Sequence, residues 1–146
     1  MNNIASNTNI SGNEIFIAYA EKIKSFGYHV LYHIAEKDLK TNYGYFSDGK
    51  HIGEFIYNSL ANTLELSTVH KLGTNCGNGF QLVDDFVLTE NNEEEFKILL
   101  KECFEIMPKD FEEFIKIYPF KDITPFENFD AFKKHLGNRI HYLKIL

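Results

Sequence analysis

The apolar positions of this chain change period twice, and the changes divide it into a helix, a run of strands and a helical final third. Near the start, Ile15, Tyr19, Ile23 and Phe26 recur every three or four residues and so line one side of a helix. The pattern predicts that helix over Asn13 to Phe26. Gly27 is its expected left-handed terminator, because glycine takes positive φ without a steric penalty. Residues 1–12 are rich in Asn and Ser and are expected to form a loose tail.

From Tyr28 the period becomes two, and β-branched and aromatic residues dominate up to Val69, the mark of antiparallel strands. In Tyr28 to Ala35, the residues Tyr28, Val30, Tyr32 and Ile34 fall on one face and His29, Leu31 and His33 on the other. Asp48-Gly49 separates Tyr43–Phe46 from His51–Tyr57 and predicts a type I′ hairpin, in which both central residues take positive φ. A second turn at Asn58 to Asn62 leads into Thr63 to Leu72, where Leu64, Leu66, Thr68, His70 and Leu72 share a face. The segment Gly73 to Gly79 holds three glycines and two asparagines and reads as a loop, after which Phe80 to Val87 resumes strand character.

The final third is helical in pattern. Phe96, Leu99, Leu100, Cys103 and Met107 form one stripe, with Thr89, Asn91 or Asn92 available as a cap and Pro108 as a stop. Glu93 to Glu95 suit the positive end of that helix's dipole. Phe111, Phe114, Ile115 and Tyr118 predict a second short helix. Thr124-Pro125-Phe126-Glu127 combines an N-cap, a first-turn proline and a capping-box Glu, so a third is expected to run to Leu136 and end at Gly137. Arg139 to Leu146 alternates as a last strand. These elements define an α+β fold: an antiparallel sheet of four to six strands with an N-terminal helix and a C-terminal group of three short helices. No repeat or linker divides the chain, so residues 1–146 are expected to form a single domain.

Composition adds constraints. Apolar residues make up 44% and charged residues 25%, which is enough to bury a core and excludes wholesale disorder. With 14 Phe and no Trp, phenylalanine is expected to fill that core. No run of 18 apolar residues and no basic, then apolar, leader is present, so neither a membrane span nor export is expected. Cys76 and Cys103 belong to no CxxC pair and are read as reduced thiols of a cytoplasmic protein.

The net charge of −6 is unevenly spread. Residues 81–113 carry eleven acids, among them Glu93, Glu94, Glu95, Asp110, Glu112 and Glu113, against Lys97, Lys101 and Lys109, whereas residues 114–146 are net positive. One reading of the acidic run is a solvated helix face. The other is a surface that imitates nucleic-acid charge and docks in a basic groove.

Candidate chemistry is sparse. His29 and His33 are four residues apart on a strand, about 13 Å, too far for one metal ion. His70 and Cys76 suggest a base and a nucleophile but lack an orienting third group, and no standard catalytic or phosphate-loop motif is present. Catalytic residues, metal and cofactor are therefore expected to be none. The segment from Lys71 to Phe80, with Asn75 and Asn78, reads either as a plain connection or as a backbone cradle for phosphate. In the second case Lys50, His51, His70 and Lys71 would supply positive charge.

The run Tyr45-Phe46-Ser47-Asp48-Gly49-Lys50-His51-Ile52-Gly53, with Leu66-Ser67-Thr68-Val69-His70-Lys71 and Gly77-Asn78-Gly79-Phe80, resembles a group of small phage and mobile-element proteins over about residues 43 to 82. Stand-alone proteins of this size and origin often look like anti-CRISPR or other anti-defence inhibitors. The resemblance implies a non-enzymatic inhibitor in the host bacterial cytoplasm. Its partner would be a bacterial effector such as an RNA-guided nuclease or its guide RNA, with Lys50, His51, His70 and Lys71 as residues to test. The alternative is a small nucleotide- or RNA-binding enzyme that uses His70, Cys76 and the glycine-rich segment.

Overall fold

A computed structural model describes residues 11–33, 40–70, 73–83, 92–104 and 126–146. Helix α1 (Gly12–Ser25) starts where the Ser11 hydroxyl accepts a hydrogen bond from the Glu14 N–H and ends before Gly27, at φ 97°. Glu14 in its first turn and Lys22 and Lys24 in its last complement the helix dipole. Ile15, Phe16, Tyr19, Ala20 and Ile23 form its buried stripe.

Among the described residues there are six strands: β1 (His29–His33), β2 (Thr41–Ser47), β3 (Ile52–Asn58), β4 (Thr63–His70) and β5 (Gly73–Val83), which follow the meander that the period of two implies, and β6 (Leu143–Ile145). All pairs are antiparallel, in the order β5-β4-β3-β2-β1-β6, so the C-terminal strand returns to the edge beside β1. The described residues also include helix α2 (Glu93–Glu102), helix α3 (Phe129–Leu136) and a 3-10 helix over Gly137–Tyr142. This is the α+β architecture that the residue pattern implies.

Alternation along the strands gives the sheet two apolar faces. Val30, Tyr32, Phe46, Phe55, Tyr57, Leu64 and Leu66 pack against α1 and against Phe96 and Leu100 of α2. Leu31, Ile52 and Val69 point the other way and pack with Phe126, Phe129, Phe132 and Leu136 at α3. The sheet therefore lies between two helical layers, and phenylalanine fills both. Phe16 stacks on Phe55, and Phe126 meets Phe132 edge to face.

Five local expectations change. The Asp48-Gly49 turn is present but is not type I′, since Gly49 has φ 103° while Asp48 is not a positive-φ residue. Ser47 pairs with Ile52, so four residues bridge the strands. The bend is made by side-chain acceptors instead. The Ser47 hydroxyl accepts from the Gly49 N–H, and one Asp48 carboxylate oxygen accepts from the N–H groups of Lys50 and His51.

The segment Gly73 to Gly79 is not a plain loop but the first part of β5, an edge strand in which Gly73, Thr74 and Gly79 pair with β4. Helix α3 is capped by Asn128, whose side chain accepts from the Ala131 N–H at 2.8 Å, and not by Thr124. Starting there turns Phe129, Phe132 and Leu136 toward the sheet together. Arg139 to Tyr142 is 3-10 helix, which leaves only three residues to β6. Gly12 belongs to α1 and Ser11 is its N-cap, and residues 1–10 of the expected tail lie outside the described residues. The expected helix over Phe111 to Tyr118 also lies outside them.

Candidate functional site

The acidic run reaches the described structure through α2. Phe96 and Leu100 anchor the helix in the core, which turns Glu94, Glu95, Ile98, Lys101 and Glu102 to the exterior at spacings of three and four. The three first-turn acids differ in role. Glu93 is bonded to Lys22 of α1 at 3.3 Å, half-shielded, and ties the two helices together. Glu94 pairs with Lys97 at 3.3 Å but keeps 83% of its side chain exposed, and Glu95 is exposed. The ammonium of Lys97 also lies 5.1 Å from the centre of the Phe26 ring, so that base is held against α1. Ile98 stands 55% exposed among these charges. The outward face is thus acidic with an apolar centre. Asp110, Glu112 and Glu113 lie outside the described residues.

Lys50 and His51 project from the β2–β3 turn. The His51 ring stacks on Phe104, with centroids 5.5 Å apart, and its Nδ1 lies 3.0 Å from the Asp48 carboxylate. Burial raises the Asp48 pKa, but hydrogen bonds from the His51 ring and from the N–H groups of His51 and Lys50 outweigh it and hold the carboxyl below its ordinary value. The Asp48 carboxylate takes up the backbone N–H groups of Lys50 and His51. Lys50 is exposed at the tip, next to the Asp48 carboxylate.

His70 closes β4, opposite Gly73, and Lys71 lies outside the described residues. The β4–β5 register is regular except at one place. Ser67 faces Gly79 and Val69 faces Thr74, so residues 75–78, with Asn75, Cys76 and Asn78, stand opposite the single residue Thr68. The glycine-rich segment therefore does leave the regular ladder, as a wide bulge inside a strand.

A further polar group was missed at the level of sequence. Tyr45, Glu54 and Ser67 are directly opposed across β2, β3 and β4, in the middle of the face that α3 partly covers, and Glu54 and Ser67 are buried. Burial, the neighbouring Glu54 charge and a side-chain hydrogen bond to Glu54 are among the causes that push the Tyr45 hydroxyl up to about 12, against the opposing charge of Arg139. The available signal was a lone carboxylate within the apolar run Ile52 to Tyr57. His29 and His33 flank Leu31 on this same face, and each is stacked on a ring, Phe129 and Tyr43 respectively. Burial also raises the Cys103 thiol well above its ordinary value, which keeps it an inert neutral group.

Among the described residues no group of three or more His, Cys, Asp or Glu is placed to hold a metal ion, and no helix is long and apolar enough to cross a membrane. Comparison with protein families, with curated proteins and with solved structures finds no match to this chain.

Proposed function

We propose that this chain is a non-enzymatic binding protein of the bacterial cytoplasm that inhibits a nucleic-acid-handling immune effector, in the manner of anti-CRISPR proteins. The observation that carries the reading is the exterior of α2, where Glu94, Glu95 and Glu102 surround the exposed Ile98 on a helix anchored by Phe96 and Leu100. Such a face offers a basic groove both charge of the sign nucleic acid carries and an apolar contact at its centre. The clustering of eleven acids in residues 81–113 and the resemblance over residues 43 to 82 support the same reading. The experiment is retrieval of partners from the native host, with protein and RNA identified together, using the wild-type chain and a Glu94→Lys/Glu95→Lys variant. The wild type is expected to enrich an effector that the variant loses while its circular dichroism spectrum is unchanged. Equal enrichment by both would remove α2 as the binding face.

The β5 bulge supports a second reading, a small nucleotide- or RNA-binding enzyme, because residues 75–78 and the end of β4 at His70 lie at one end of the same hairpin. A nucleotide that binds only the folded form must raise its thermal midpoint. A midpoint shift abolished by Cys76→Ser would favour this reading over the first.

A further inference from the structure

Strand β3 offers apolar side chains to both faces of the sheet. Gly53, Phe55 and Tyr57 lie on the face that meets α1, Ile52 and Ile56 on the other, and Glu54 is a buried carboxylate beside Ile52. A strand buried on both faces has no polar side to fix its register. Two registers compete for the β2–β3 hairpin. Asp48-Gly49 favours a two-residue type I′ turn, in which Ser47 would face Lys50. The observed strands pair Ser47 with Ile52 and close over four residues. The two registers differ by two residues, so both keep every side chain on its present face. The tight register would set Gly44 opposite Gly53 and Glu54 opposite Tyr43, and would draw His51 into the ladder against Phe46.

We infer that the Glu54 carboxylate, held by the Tyr45 hydroxyl, selects the four-residue register over the tight one. Tyr45 and Glu54 are directly opposed, and the hydroxyl donates to the carboxylate. The Tyr45 ring packs edge to face on Phe132 of α3, with centroids 4.9 Å apart, which fixes the donor in place. Tyr43, the partner that the tight register would offer, is stacked on His33 and is 36% exposed. A buried carboxylate is costly wherever its donor is lost, so a slip away from Tyr45 is penalised. A buried polar pair of this kind acts more through the pairings it rejects than through net stability. The choice reaches both helical layers, because the four-residue turn places the His51 ring on Phe104 and the Gly49 carbonyl on the Phe129 N–H. The inference concerns the folded chain alone and does not depend on the proposed inhibitory function.

Cross-strand contacts measured by NMR on the isotope-labelled full chain test it. The wild type is expected to show one set of amide signals, with contacts between Tyr45 and Glu54 and between Ser47 and Ile52. Tyr45→Phe and the double variant Tyr45→Phe/Glu54→Leu are each expected to add a second set, with contacts between positions 47 and 50 and between 43 and 54. Glu54→Gln keeps an acceptor oxygen and is expected to keep the single set. Wild-type contacts alone in both Tyr45→Phe and the double variant would overturn the inference, because Gly44 and Gly53, intact in both, would then suffice to hold the register. Loss of folded signals by both would overturn it too, by making the pair a contributor to stability and not to register. So would a second set in Glu54→Gln as large as that in the double variant.

Discussion

Two glycines on adjacent strands explain why phenylalanine can fill the core so tightly. Gly44 lies opposite Phe55, and Gly53 lies opposite Phe46, so each ring lies over the glycine of the other strand. A β-carbon at Gly53 would stand 2.4 Å from the Phe46 ring and 3.2 Å from the Cys103 sulfur; one at Gly44 would stand 2.6 Å from the Phe55 ring. Glycine is required here for close approach and not for an unusual φ. Gly53→Ala is accordingly expected to destabilise the fold by about 1–3 kcal/mol through overpacking, read as a lowered urea midpoint with an unchanged slope. A neutral or stabilised variant would contradict the packing. The alternation that carries these rings was legible in the residues from Tyr43 to Tyr57. Which glycine meets which ring was not, because that depends on register.

At the scale of elements, the β2–β3 turn holds both helical layers to the sheet. The Gly49 carbonyl accepts from the Phe129 N–H at 3.0 Å, where α3 begins, and the His51 ring stacks on Phe104, just after α2. The Asp48 carboxylate shapes this turn and has a folded pKa below its unfolded value, so its contribution is present above the ordinary carboxylate range and is lost as pH falls through the folded pKa. Denaturation midpoints measured from about pH 6 to about pH 3 are expected to fall less steeply for Asp48→Asn than for the wild type, since Asn keeps an acceptor oxygen but cannot titrate. Coincident acid limbs would contradict this role. The position of the turn was legible in Asp48-Gly49, but its type was not, because side-chain acceptors replaced the second positive φ. Likewise the cap of α3 moved to Asn128, where three apolar side chains face the sheet at once, and the two ends of the glycine-rich segment joined β5 by pairing with β4.

At the scale of the whole molecule, a helix with an acidic exterior lies on one side of the sheet and a basic segment returns along its edge and opposite face. The uneven charge was plain in the sequence. That Glu93 is tied to Lys22 while Glu94 and Glu95 face outward was not, since it follows from how α2 packs on α1. The polar line of Tyr45, Glu54 and Ser67 was hidden for the same reason, as three strands had to be aligned to bring it together. The most direct measurement is calorimetric titration of the effector retrieved from the host with the wild-type chain and with Glu94→Lys/Glu95→Lys, at low and at high salt. The account predicts an affinity that drops by roughly tenfold or more on charge reversal and also on raising the salt, as expected of an electrostatically steered interface. An affinity indifferent to both changes, with the fold intact, would contradict it.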